Sequence, residues 1–276
     1  MEDPCDKMPE RPIENWSVLI SGQVLTSRTE TIEDYLRPRV ARLGVVGLAG
    51  PFQKGAPARY TEYRDGRVTR DETRAGVHVA RPGTVGGNLR LIAAFSRYVR
   101  QIVHGARGGR PWDLFIGISC FSAFVGVALK KMGWVRRLVY YSIDYYPTPV
   151  GWNFNRVMVW GFRWMDRTCA RNADWVWHIT GRIVEARARL GGLPADRYAH
   201  LEMPLSYRQS LLRRYPVESI ERWTVGFVGT LTESQGVQLL IEALPRLAAR
   251  FPGLKVRIIG RGPYAGELER RVDQSG

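Results

Sequence analysis

Residues 225–268 read VGFVGTLTESQGVQLLIEALPRLAARFPGLKVRIIGRGPYAGEL, and this stretch decides the fold class. Apolar strands are predicted at Thr224–Val228, before Gly229, and at Val256–Ile259, before Gly260. A helix between them is indicated by apolar residues at helical spacing, namely Val237, Leu240, Ile241, Leu244 and Leu247. Glycine after a strand lets a phosphate approach backbone N–H groups, and parallel sheets bind ligands at the carboxyl ends of their strands. The pattern therefore indicates a nucleotide site, although glycine after strands is common in α/β proteins.

The order of these segments resembles the donor-binding domain of GT-B glycosyltransferases, specifically the retaining group called family four, or group 1. That family has a strand, the pattern G-R-x-x-x-x-K-G, a helix rich in Glu and Ala, and a strand ending in G-x-G-P. The matching positions are Gly229, Gly236, Glu242, Ala243, Gly260, Gly262 and Pro263. The resemblance implies a GT-B-like α/β fold, with an N-terminal doubly wound parallel-sheet domain and an incomplete, C-terminally truncated Rossmann-like domain.

Two positions depart from the family pattern. The family's arginine and lysine, which hold the donor diphosphate, are replaced here by Thr230 and Gln235. The resemblance implies a donor-binding set of Gly229, Thr230, Gln235, Gly236, Arg261 and Gly262. Because Thr230 and Gln235 are neutral and the donor domain is expected to be incomplete, we expect weak binding of nucleotide-sugars and no turnover.

Strands and helices alternate through the first two thirds of the chain, which predicts a doubly wound domain over residues 1–203. A polar, proline-bracketed linker is predicted at 204–222, followed by a partial donor-nucleotide-binding domain at 223–276. Local predictions within the first domain are a helix at Thr31–Leu43, a hairpin at Arg59–Thr69 around Asp65–Gly66, and a strand at Val77–Ala80.

Acceptor-side residues are expected at the ends of strands in the first domain. Asp144 ends a predicted strand, and Ser119 occupies a position at which the family resemblance implies a histidine near the reacting sugar; both are predicted to be catalytic. Asp144 as an ordinary strand-end cap remains an alternative. The resemblance also assigns Gly22, Thr180 and Gly181 to the acceptor side. No metal site or cofactor is expected, because GT-B enzymes generally need no metal and no Asp-x-Asp cluster occurs.

The chain is strongly basic, with 41 Lys and Arg against 26 Asp and Glu and a net charge of +15. This balance favours an anionic partner, and an anionic membrane surface is preferred to nucleic acid because no nucleic-acid-binding motif is recognised. Arginines spread over solvated faces are the alternative explanation. Three widely spaced cysteines indicate a reducing compartment. The polar N-terminus and an apolar run limited to Leu114–Leu129 predict a cytoplasmic protein, peripheral on the inner face of the membrane.

A helix near residues 152–171 combines aromatic residues with arginines. Such a helix suits either a membrane interface or a core with arginines reaching to solvent, and the spread of aromatics around it favours the core.

The resemblance implies a glycosyltransferase that moves a hexose from a nucleotide-sugar to a lipid-linked or polysaccharide acceptor with retention. The alternative is a catalytically impaired or fragmentary GT-B homologue that acts as a binding or accessory protein.

Overall fold

The computed structural model describes residues 12–23, 27–48, 57–74, 85–108, 110–146, 154–205 and 212–275. The chain divides into two compact units, Met1–Gln209 and Ser210–Gly276. This division lies inside the segment 204–222 expected to be a linker, and the detailed domain boundaries stay a prediction.

The first unit is built on one eight-stranded sheet in the order β4-β3-β2-β1-β5-β6-β7-β8. Its strands are β1 Ser17–Gln23, β2 Arg42–Leu48, β3 Ala58–Arg64, β4 Arg67–Arg74, β5 Trp112–Ile118, β6 Val135–Ser142, β7 Trp175–His178 and β8 His200–Glu202. Six of them run parallel, and β3 and β4 add an antiparallel hairpin at one edge. The doubly wound parallel sheet is therefore confirmed, with an antiparallel edge.

Five helices accompany this sheet, namely α1 Ser27–Leu36, α2 Val85–Arg107, α3 Cys120–Lys131, α4 Phe154–Asn172 and α5 Gly181–Gly191. Short 3-10 turns lie at Ile13–Asn15, Ala195–Arg197, Val217–Ser219 and Glu233–Gln235. The described helices include none that is both long and apolar enough to cross a bilayer.

Local predictions in this unit had different outcomes. The hairpin around Asp65–Gly66 is confirmed, with positive φ at both turn residues. The helix predicted at Thr31–Leu43 was wrong in its second half, because α1 ends at Leu36 and β2 begins at Arg42. Pro38 explains the difference, since proline disfavours helix at the residue before it and removes a backbone donor. The strand predicted at Val77–Ala80 lies outside the described residues.

Both faces of the sheet are covered, as alternation along β1 illustrates. Val18 and Ile20 point into a cluster that includes Leu36 and Val40 at the end of α1 and just beyond it. Leu19 points the other way, into a cluster with residues of α2 and α3. All three β1 side chains are fully buried, so the central strands are held from two sides.

The second unit contains β9 Thr224–Val228, α6 Val237–Arg250, β10 Lys255–Ile259 and α7 Ala265–Ser275. The strands β9 and β10 pair in parallel, as the sequence predicts. Four side chains form the buried core, namely Leu231, Val237, Ile241 and Leu268. The other side of the two strands is exposed, with Val228 at 78%.

Candidate functional site

The first unit has a topological switch point between β1 and β5. From β1 the chain passes to β2 on one side, and from β5 it later passes to β6, β7 and β8 on the other. Doubly wound sheets bind ligands in the crevice outside the strand ends at this point. Ser21 pairs in register with Gly117, so Gly22, one residue before β1 ends at Gln23, and Ser119, directly after β5, lie at neighbouring strand ends at the switch point.

Ser119 occupies a strained strand-to-helix turn. Its φ of 78° and ψ of 158° lie in a region that residues other than glycine rarely adopt, at a cost of about 1–3 kcal/mol. The Ser119 N–H donates to the Tyr141 carbonyl at 3.0 Å, and its carbonyl accepts from the Ala123 N–H at 3.1 Å. A Cβ on Gly117 would lie 2.6 Å from the Ala123 Cα, so β5 and α3 approach each other closely. The turn holds Ser119 at the beginning of α3, where its side chain is half-buried.

The other residues predicted for the acceptor side follow the next two strands. Asp144 is exposed two residues beyond β6, and Thr180 follows β7 by two residues and caps α5, which begins at Gly181. The Thr180 Oγ1 accepts a long bond, 3.5 Å, from the Arg182 N–H. Neighbouring strands lie about 4.8 Å apart, so the ends of β1, β5, β6 and β7 span about 14 Å. The structure thus brings the five predicted residues to one edge of the sheet, in a row.

A buried polar network lies behind the end of β6, and sequence reasoning missed it. The Arg187 guanidinium donates to both carboxylate oxygens of Asp166, at 2.8 and 2.9 Å. It also donates to the Ser142 Oγ at 3.0 Å and the Tyr198 hydroxyl at 2.9 Å. The Tyr140 hydroxyl donates to Asp166 at 2.7 Å. The network ties α4 and α5 to the strand that carries the Asp144 loop.

The ionisation of this network follows from burial and pairing. Burial lowers the pKa of Arg187, but the hydrogen bonds and the charge of Asp166 outweigh it, and the net pKa is raised. Burial raises the pKa of Tyr140 well above its ordinary value, so its hydroxyl keeps the proton it donates. One sequence signal could have indicated the pair: Asp166 is the one acidic residue of α4.

His178, the last residue of β7, is buried, and sequence reasoning gave it no role. Burial and then the neighbouring His200 lower the pKa of His178. Its ring centroid is 5.2 Å from that of His200. Across the described ranges, no cluster of three or more His, Cys, Asp or Glu side chains could hold a metal ion.

In the second unit the loops after β9 and β10 pack backbone against backbone. The Gly229 N–H donates to the Ile259 carbonyl at 3.1 Å, and the Leu231 N–H donates to the Arg261 carbonyl at 3.0 Å. A Cβ on Gly260 would overlap the Gly229 carbonyl oxygen, and one on Gly262 would overlap that of Leu231. Contact between the two loops therefore requires glycine at 260 and 262, whether or not a phosphate approaches them.

Of the other residues predicted for the donor side, Gln235 and Gly236 lie at the beginning of α6. Gly236 has a φ of 74° between the 3-10 turn and α6, a backbone conformation that favours glycine. Thr230, Gln235 and Arg261 are exposed. The structure brings Gly229 and Thr230 beside Arg261 and Gly262 through the paired loops, while Gln235 and Gly236 lie at the positive end of the α6 dipole.

Comparison with known sequences agrees with this arrangement. Residues 222–276 match the family described as Glycosyl transferases group 1. The α-D-kanosaminyltransferase of Streptomyces kanamyceticus is 29% identical over 124 residues, which are 41% of this chain and 32% of that protein. The aligned region thus spans about a third of that relative's length.

Two solved structures share the fold. The Anabaena protein HepE in complex with UDP superposes with a TM-score of 0.56 at 15% identity, covering 94% of this chain and 66% of that one. A UDP-forming α,α-trehalose-phosphate synthase from Burkholderia vietnamiensis gives a TM-score of 0.58 at 13% identity, covering 95% and 68%. The family match over residues 222–276 and the shared GT-B fold confirm the resemblance stated from the sequence: the C-terminal segment is similar to the group 1 glycosyltransferases, and the chain has the fold of the two solved structures.

Proposed function

We propose that this chain belongs to a glycosyl-transfer reaction that moves a hexose from a nucleotide-sugar to a lipid-linked or polysaccharide acceptor with retention. With the neutral Thr230 and Gln235 in the donor loop, we expect these 276 residues by themselves to bind the donor weakly and not to turn it over. The observation that carries the proposal is the pair of glycine loops after β9 and β10, in the region that matches the group 1 family. A parallel strand pair with a helix N-terminus beside it is an arrangement suited to a diphosphate. UDP is the first nucleotide to test, because the related Anabaena protein was solved with UDP.

The donor side is assigned to Gly229, Thr230, Gln235, Gly236, Arg261 and Gly262. Thr230 and Gln235 offer hydrogen bonds without charge, and Arg261 supplies a cation. The departing diphosphate would gain its stabilisation from Arg261 and the α6 dipole, with no metal or cofactor.

The acceptor side is assigned to the row at the edge of the first sheet. Asp144 and Ser119 are the proposed catalytic residues: the exposed carboxylate would accept a hydrogen bond from the acceptor hydroxyl, and the strained Ser119 turn would fix a hydroxyl close by. Gly22, Thr180 and Gly181 would border the acceptor.

Calorimetric titration of the chain with UDP tests the donor assignment. Weak binding is expected that falls about tenfold or more in Arg261→Ala, because a charge-assisted bond to phosphate contributes about 1.5–3 kcal/mol. Arg246→Ala, which removes an exposed arginine from α6, is the matched control and should bind as the original chain does. Equal affinity in both variants would contradict the assignment.

A second candidate is an accessory role, in which the chain acts as a binding partner and transfers no sugar. The neutral Thr230 and Gln235 favour it. A donor site predicts that millimolar UDP raises the melting temperature by mass action, while an accessory role predicts no shift.

Cytoplasmic location with peripheral attachment to an anionic membrane surface completes the proposal, supported by the net charge of +15. Binding to anionic vesicles should fall steeply with salt. Retention after an alkaline wash would contradict a peripheral attachment.

A further inference from the structure

One face of α4 consists of arginines, tryptophans and a valine. At 3.6 residues per turn, the positions within about 60° of Trp160 are Arg156, Val157, Trp160, Arg163, Trp164, Arg167 and Arg171. These residues are called the α4 outer face below. Trp160 is 70% exposed and Trp164 is 53% exposed. The core position predicted for this helix is correct for the side of α4 that carries Asp166 and Cys169, but not for the exposed Trp160 and Trp164.

The α4 outer face has a positive charge that its own helix does not offset. Arg163, Arg167 and Arg171 follow one another at spacings of four, where like charges destabilise a helix. The one acid of α4, Asp166, faces inward and is paired with Arg187. Arg167 donates to the Gly191 carbonyl, which leaves its charge in place. The face is therefore suited to an anionic partner.

A cavity of about 420 Å³ opens on this face, between α4 and the end of α5. Its lining residues are Arg156, Val159, Trp160, Arg163, Trp164, Arg167, Leu190 and Gly191. Apolar rings and guanidinium groups therefore line the same concave surface. A guanidinium can bind a phosphate through two parallel hydrogen bonds, and a tryptophan ring beside it can contact acyl or glycerol carbon.

We propose that the α4 outer face docks on a bilayer containing anionic phospholipids. Interfacial helices combine arginine or lysine with tryptophan, because charged groups meet the phosphates while the rings lie at the headgroup boundary. A purely electrostatic partner such as nucleic acid would not require the apolar contribution of Val157 and Trp160, which are 57% and 70% exposed. This inference locates the peripheral attachment proposed above and does not depend on glycosyl transfer.

The docking surface adjoins the loop that carries Asp144. The Arg163 Nη2 donates to the Tyr146 carbonyl at 3.1 Å, and the Tyr146 and Phe162 rings pack edge to face with centroids 4.8 Å apart. A bilayer on the α4 outer face would therefore lie beside the edge of the sheet assigned to the acceptor, which suits an acceptor carried on a lipid.

Vesicle co-sedimentation of the full chain tests the proposal, without nucleotide or sugar in the assay. Vesicles of phosphatidylcholine alone are compared with vesicles that also contain phosphatidylglycerol. The variant Arg163→Glu/Arg171→Glu should lose about 25-fold or more in affinity for the anionic vesicles, at about fivefold per arginine. The control Arg97→Glu/Arg100→Glu makes the same change in net charge on exposed positions of α2 and should lose about twofold or less.

Trp160→Ala separates a bilayer from a soluble polyanion. It should weaken vesicle binding several-fold and leave heparin binding unchanged, because only the bilayer takes up the ring. Circular dichroism and melting temperature establish that each variant is folded. Four results would overturn the proposal: no binding of the original chain to anionic vesicles at low salt, no loss in Arg163→Glu/Arg171→Glu, equal losses in both double variants, or unchanged vesicle binding in Trp160→Ala. A negative result with UDP in the calorimeter would affect the donor site and leave this inference standing.

Discussion

The two units of this chain hold their strand ends in different ways. In the first, a sheet covered on both faces fixes the row from Gly22 to Thr180, and the Arg187–Asp166 pair supports it from behind. In the second, two strands with one exposed side end in loops that are fixed mainly by glycine-mediated backbone contact and a four-residue core. The sheet edge assigned to the acceptor therefore depends on deep packing, while the loops assigned to the donor depend on local fit. We therefore expect the second unit to open more readily than the first.

Breaking the buried Arg187–Asp166 ion pair should have the largest effect on the stability of the first unit. Arg187→Met leaves the Asp166 carboxylate buried without its cation, which costs about 3–5 kcal/mol. The melting temperature of the first unit should fall sharply, while Arg189→Ala, an exposed change on the same helix, should alter stability by about 0.5 kcal/mol or less. Similar stability of the two variants would show that the pair contributes little.

A core truncation in the second unit tests whether the units open separately. Ile241→Ala should cost about 2–4 kcal/mol, because the side chain is buried in the small core. Hydrogen exchange should accelerate at the β10 amides and stay unchanged at the β5 amides. Leu239→Ala, 64% exposed on the same helix, is the control and should leave both unchanged. Acceleration in β5 as well would show that the units unfold together.

Replacing Ser119 tests whether the backbone of its turn is strained. Ser119→Gly should raise stability by about 1 kcal/mol, since glycine adopts this backbone conformation freely. Ser119→Ala keeps the strain and should not be stabilised. Chemical denaturation measures both, and stabilisation of the alanine variant alone would contradict a strained turn.

The smallest effect is expected from His178, through the dependence of stability on pH. Because the pKa of His178 is lowered in the folded protein, the unfolded chain protonates this histidine at a higher pH than the folded chain does. The free energy of unfolding therefore decreases as the pH falls below about 6.5, the ordinary histidine value. His178→Phe should make the decline between pH 7 and pH 5 shallower, and above pH 7 the two curves should run parallel. An unchanged slope in the acid range would contradict burial as the cause.

Much of the fold could be predicted from local signals. The period of apolar residues and the glycines predicted β9, α6 and β10, because these elements are consecutive and their pattern lies within one short segment. The Asp65–Gly66 hairpin was equally local. The helix through Thr31–Leu43 was extended too far because the apolar pattern outweighed Pro38 in the prediction.

Long-range pairing and the direction of side chains were not accessible from the sequence. The contact between Asp166 and Arg187 joins two helices and depends on where β6 places Ser142. The exposure of Trp160 depends on which side of α4 meets the sheet, and an aromatic-rich sequence does not specify that side. The need for glycine at 262 arises from a neighbouring loop thirty residues upstream. The catalytic and binding roles of the strand-end residues stay predictions.

Restoring charge to the donor loop tests the central claim most directly. We propose that Thr230 and Gln235 face a nucleotide diphosphate and contribute hydrogen bonds without charge. Calorimetric titration with UDP should show weak binding by the original chain and about a hundredfold tighter binding by Thr230→Arg/Gln235→Lys, because two charge-assisted bonds at about 1.5 kcal/mol each add about 3 kcal/mol. The control Ala248→Lys/Ala249→Lys adds the same two cations at exposed positions near the far end of α6 and should bind as the original chain does. If Thr230→Arg/Gln235→Lys binds UDP no better than the original chain, the loop is not a diphosphate site and the donor-side assignment is contradicted.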